Sequence, residues 1–65
     1  MITLTRLNGQ PFVINVELVR TVEERPDTTI TLTTGDRVLV KESMTEVVER
    51  AIDYGRRLRT LLPPD

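Results

Sequence analysis

The hydrophobic period of this chain changes once, at Ser43, and the change constrains the architecture more than any other feature. Before it, Ile2 and Leu4 alternate with Thr3 and Thr5, and Ile30 and Leu32 alternate with Thr29, Thr31 and Thr33. A period of two, rich in β-branched residues, predicts half-buried strands with the apolar face inward. After it, Met44, Val47, Val48, Ala51, Ile52, Leu58 and Leu62 follow the three- and four-residue spacing of one helix face. The boundary has its own signature. In "SMTE", Ser43 can accept from the N–H of Glu46, and Glu46 can reach back to the N–H of Ser43, as in a capping box. The fold class is therefore α+β: a small antiparallel β-meander, as a curved sheet or partial barrel, followed by one C-terminal amphipathic helix.

Five short strands are predicted, near residues 2–7, 11–15, 18–25, 28–34 and 37–41, with a helix near 44–61. Asn8-Gly9 and Gly35-Asp36 bring the positive-φ tolerance of hairpin turns. Pro26-Asp27 separates the third strand from the fourth. Pro11 has no N–H, so its strand should begin there or lie at an edge. The third segment, "ELVRTVEERP", is ambiguous. Leu18, Val19 and Val22 also fit a helical turn, and a bend or bulge is expected there. Lys41-Glu42 is the only junction between strands and helix, so residues 1–65 form a single domain. On the helix, Glu49, Arg50, Asp53, Arg56 and Arg57 are assigned to the polar face, with Glu46–Arg50 and Asp53–Arg57 as four-residue ion pairs. Gly55 disfavours the helix, and Pro63-Pro64 ends it.

Composition matters here for what it excludes. The 65 residues contain no Cys, His or Trp, and carry a net charge of −1. No disulfide or thiol chemistry is available, and a zinc site would lack its usual ligands. A near-neutral chain has no general electrostatic pull on nucleic acid. No signal peptide or membrane-length apolar run is visible, which predicts a cytoplasmic protein. A chain this short buries only about 60% of its unfolded surface, so self-association or docking on a partner is expected.

No catalytic, cofactor-binding or metal-binding residue is assigned. Glu23 and Glu24 are adjacent in a predicted strand and point to opposite faces, so they do not converge as an acid–base pair. Gly9 and Gly35 each stand alone between two strands, unlike the clustered glycines of a phosphate loop. They are read as turn residues together with Pro26, Asp27 and Asp36, and Ser43 and Glu46 as the helix cap. Arg56, Arg57 and Arg59 form the one basic cluster. With Leu58, Leu61 and Leu62 they make an amphipathic end that either compensates the helix dipole or docks on an acidic partner, an anionic lipid surface or RNA. Arg6, which interrupts the inward alternation, and Asn8 beside it complete the candidate interaction residues.

Taken together, "LTRLNG" at 4–9, "FVIN" at 12–15, "VE" at 22–23, "PDT" at 26–28, "ITLTTG" at 30–35, "VKES" at 40–43 and "EVVE" at 46–49 resemble the FlbD/SwrD family of small flagellar motility proteins (not the transcriptional activator that shares a name). The resemblance covers residues 1–57. It implies a non-enzymatic cytoplasmic protein at the flagellar base, without cofactors, that supports the motor or its stator through protein contacts and self-association. The tail "GRRLRTLLPPD" is more arginine-rich and apolar than that family's helix end. A second resemblance, carried by "MITLTR", the following glycine and "FVI", is to the carbon storage regulators. It implies the alternative of a small RNA-binding post-transcriptional regulator, with Leu4, Arg6, Val40 and Lys41 facing RNA.

Overall fold

A computed structural model describes the backbone of residues 1–61 and the side chains of residues 1–58. Five strands precede one helix: β1 (Ile2–Thr5), β2 (Pro11–Ile14), β3 (Val19–Glu24), β4 (Thr28–Leu32), β5 (Arg37–Val40) and α1 (Met44–Leu61). The strands form two antiparallel sheets, β1-β2 and β3-β4-β5. A single bridge between Arg6 and Val40 joins them, supported by the Lys41 N–H donating to the Thr5 carbonyl over 2.8 Å. The barrel does not close. The α+β meander with its C-terminal helix stands as expected, but its strands divide because β1 and β5 meet only at their ends.

Both hairpins within which a glycine was singled out use the same loop. In the first, the Arg6 N–H donates to the Gln10 carbonyl and the Gly9 N–H to the Arg6 carbonyl. In the second, Leu32, Gly35 and Asp36 repeat that pattern at 2.8 and 2.9 Å. Each is a three-residue loop with a glycine at positive φ, +93° for Gly9 and +95° for Gly35, the geometry of a type I turn closed by a glycine bulge. Only the glycines are left-handed. Asn8 instead accepts from the Gln10 N–H through its side chain, and Thr34 accepts in the same way from Asp36. Pro26 follows a cis peptide bond in the turn between β3 and β4. β2 starts at Pro11, on the free edge of its sheet.

The ambiguous third segment resolves into two structures. Val16–Leu18 form one 3₁₀ turn capped by Asn15, whose side chain accepts from the Glu17 N–H at 3.1 Å. β3 follows, and its register against β4 shifts between Val19 and Thr21. The expected bend is therefore a helical turn followed by a bulge.

Alternate residues of four strands meet the helix to make the core. Ile2, Leu4, Ile14, Ile30, Val40 and Val47 are buried. They are joined at the margin by Phe12, Val16, Val19, Val22, Leu32, Val38 and Tyr54. Among the described residues only Val47 of the predicted apolar helix positions is buried, and α1 packs mainly on β1 and β3.

Candidate interaction surface

The helix is locked at its start by three carboxylates from different elements. Ser43 accepts from the Glu46 N–H at 3.1 Å, but the return bond differs from a capping box: the Ser43 hydroxyl donates to Glu46 Oε1 at 3.3 Å. Glu24, from the end of β3, accepts from the Met44 N–H at 2.7 Å. This satisfies another of the donors that a helix N-terminus leaves open.

The third carboxylate is Glu42, the one buried acid among the described residues. Its Oε1 accepts from the Thr5 N–H and its Oε2 from the Thr5 hydroxyl, both at 2.9 Å. Arg50 Nη1 lies 3.1 Å from Oε2 and donates to the Thr3 carbonyl at 2.8 Å. Arg50 stays on the exposed face beside Glu46, as periodicity places it, and also reaches over to tie α1 to β1. Burial alone would raise the Glu42 pKa. The hydrogen bonds from Thr5, from its own backbone and from Arg50 outweigh burial and hold it below its ordinary value of 4.5. With its oxygens engaged on three sides, Glu42 is a clasp between the two sheets and the helix. It carried no sequence signal beyond its place in "VKES".

The remaining length of α1 is covered unevenly. Val47 is buried and Tyr54 half-buried against the sheets, yet Met44, Val48 and Ile52 are 41%, 43% and 49% exposed. The three recur every fourth residue, so they form one continuous flank. Between this flank and the strands runs an apolar groove of about 460 Å³, bordered by Val16, Val19, Val22, Val48 and Ile52, with Arg56 at one end. An adjoining depression continues it along Val19, Val22, Met44 and Val48. No apolar residue of the chain fills it among those described.

The sequence-assigned residues fall into separate places. Arg6 and Asn8 share the first hairpin loop. Arg6 stacks its guanidinium 4.5 Å from the centre of the Phe12 ring, an intramolecular role the sequence reading had not assigned to it. Arg57 pairs with Asp53 at 3.0 Å on the exposed face, and Arg50 also lies 3.9 Å from Glu46. Arg56 borders the apolar groove. The side chains of Arg59 and Leu61, and the whole of Leu62, lie outside the described residues. The RNA-facing quartet does not assemble, because Leu4 is 0% and Val40 1% exposed. Both are core residues, since the even positions of β1 and β5 face inward.

The fold and surface together define a small two-sheet α+β domain with a half-covered amphipathic helix. Among the described residues no three acidic, His or Cys side chains could hold a metal ion, and no helix is long and apolar enough to cross a membrane. The chain belongs to the FlbD family of flagellar and swarming motility proteins, which matches it over residues 1–59. No curated protein and no solved structure matches it.

Proposed function

We propose that this protein is a non-enzymatic component of flagellar motility that supports the motor or its stator through protein–protein contacts, on the cytoplasmic side at the flagellar base. The observation that carries this reading is the bare apolar flank of α1. Among the described residues six apolar side chains are buried, while three large ones of α1 are left in water, beside a groove that no described residue fills. Exposed contiguous apolar surface of this kind marks a contact surface. The family supplies the setting, flagellar and swarming motility. The residue inventory fits a contact role better than a catalytic one: it contains no His or Cys, and Glu42, the one buried acid among the described residues, is occupied in holding the helix. Self-association and a motor or stator protein are the partners proposed.

A deletion strain tests the reading. Flagella should still assemble, by electron microscopy or filament staining, while swimming and swarming speed fall, most visibly in viscous medium. Normal swarming of that strain under load sinks it.

A further inference from the structure

β2 and β3 are end strands of their sheets, and their open edges differ. β2 begins at Pro11, which has no N–H to offer. Proline on an edge strand guards it against pairing with another chain. β3 has neither proline nor lysine between Val19 and Glu24. Its bulge lies between Val19 and Thr21, so Thr21, Val22, Glu23 and Glu24 keep a regular register against β4.

The ladder shows which backbone groups the β3 edge leaves open. On β4 the Leu32 N–H donates to the Asp36 carbonyl, on the β5 side, and the next N–H, that of Thr33, donates to the Leu18 carbonyl, on the β3 side. Successive strand residues direct their backbone groups to opposite sides, so Thr29 and Thr31 serve β3 while Thr28 and Ile30 serve β5. Thr21 and Glu23 stand opposite Thr31 and Thr29 and are the hydrogen-bonded residues of β3. Val22 and Glu24 stand opposite Ile30 and Thr28, and their N–H and C=O groups point out of the sheet. Alongside this edge runs the depression lined by Val19, Val22, Met44 and Val48. The open strand and the bare flank of α1 therefore border one surface.

The residues of β3 specify what adds there. A second β3, antiparallel and centred on Val22, exchanges two backbone hydrogen bonds between the two Val22 residues. It opposes Thr21 to Glu23 of the second copy, twice by symmetry, and sets Arg20 next to that same Glu23. Arg20 and Glu23 are both exposed, and neither side chain has a partner among the described residues. Other pairings lose this fit. A parallel in-register pair lays Glu23 and Glu24 on themselves, and like charges directly opposite are destabilising. Sliding the antiparallel register by two residues either opposes Glu23 to itself or runs the pair into the bulge after Val19. The two-fold axis of an antiparallel edge pair is perpendicular to the sheet, so both helices lie on one face of it. Val22 of the second copy then borders the depression that Val22, Met44 and Val48 line.

We propose that β3 pairs with β3 of a second copy of this chain, antiparallel and isologous about Val22, so that two three-stranded sheets become one continuous sheet. This rests on the protein-contact reading and names its surface and occupant. It is tested on purified protein, so its failure leaves the motility reading to the deletion strain. Sedimentation equilibrium of the full chain should give a monomer–dimer equilibrium. Amide hydrogen exchange read by NMR should show the Val22 N–H fast in dilute samples and slower as the dimer fraction grows. The Thr21 and Glu23 amides, already bonded to β4, should be protected throughout.

Val22→Pro removes a donor that the monomer does not use. It should weaken dimerisation at least about tenfold, the scale of two lost backbone hydrogen bonds. Val22 also packs against the core, so two surface variants serve as the second probe. Arg20→Glu and Glu23→Arg should each weaken the dimer several-fold without changing far-UV circular dichroism, and the double swap should restore it. A chain that remains monomeric at every concentration overturns the proposal and favours a foreign strand on the edge. A dimer in which the Val22 amide stays fast, one that tolerates Val22→Pro, or a charge swap that fails to rescue places the contact elsewhere and overturns it equally.

Discussion

The two flanks of α1 carry similar side chains and have opposite fates. Val47 is 2% exposed and its neighbour Val48 is 43% exposed. They are one residue and about 100° apart on the same helix. The difference lies in what the strands can reach. α1 makes its main contacts with β1 and β3; the Glu42 clasp pins the helix to β1, while Glu24 and Met44 pin its first turn to the end of β3. A helix anchored at those points presents one side of its apolar arc to the core and leaves the other beside an open groove. Amphipathic periodicity identifies the arc, and tertiary anchoring decides how much of it is used.

The sharpest way to break this comparison is to place the same charge on each flank. Val47→Asp buries an unpaired carboxylate, which costs about 3–5 kcal/mol. That is comparable with the whole stability of a 65-residue domain, about 3–10 kcal/mol. The variant should be unfolded or nearly so by circular dichroism and denaturant titration. Val48→Asp should change the stability of the monomer by less than about 0.5 kcal/mol, the range of a surface substitution. Equal losses from the two would mean that the exposed flank is packed in solution.

Next in size is the clasp that sets the helix on one side. Glu42→Gln keeps the shape but removes the charge that Thr5 and Arg50 bind, and should destabilise by about 2 kcal/mol, the scale of charged hydrogen bonds. The same residue sets an acid limit. Its folded pKa is depressed, so its contribution is fully present above its ordinary value of 4.5 and is lost as pH falls through the lowered folded value. Urea midpoints measured from neutral pH down to about pH 3 should therefore drop more steeply for the parent protein than for Glu42→Gln. Parallel curves would remove Glu42 from that role.

These residues show which parts of the molecule were legible in advance. The helix cap was visible because Ser43 and Glu46 are three residues apart and satisfy donors within one turn. Both glycine turns were visible for the same local reason, although Asn8 contributes a side-chain acceptor rather than a left-handed backbone. Glu42 was invisible because its partner Thr5 stands 37 residues away, and a glutamate at a strand–helix junction looks like any solvated charge. Arg50 was placed correctly on the exposed face beside Glu46, but its further reach to the Thr3 carbonyl, 47 residues away, had no local signal. The division into two sheets also depends on a long-range fact, that β1 and β5 touch only near Arg6 and Val40. The apolar groove was half legible: the pattern marked Met44, Val48 and Ile52 as apolar without marking what would cover them.

Smaller effects separate anchoring from packing. Ser43→Ala removes the acceptor for the Glu46 N–H while leaving Glu24 in place on Met44, so it should cost about 1 kcal/mol, the usual value of an N-cap. A thermal-melt series with Glu24→Gln would tell whether the two caps act independently. They serve different N–H groups, so the double variant should lose about the sum of the single losses.

The least perturbing substitution tests the exposed flank from the other direction. Gly55→Ala adds one methyl group where nothing lies within 4 Å, on a helical backbone that alanine adopts readily. For the isolated chain the effect should be stabilising by up to about 1 kcal/mol, from helix propensity and reduced freedom of the unfolded chain. If glycine at this position serves only the fold of one molecule, nothing offsets that gain, and dilute and concentrated samples should be stabilised alike. If another molecule of the protein packs against the helix backbone there, the methyl group must weaken association even as it strengthens the monomer. Thermal melts of parent and variant across a wide concentration range read both effects at once: the variant should melt higher when dilute, and lose that advantage as concentration rises. A constant advantage at every concentration would mean that Gly55 takes no part in self-association and has no structural explanation in the helix.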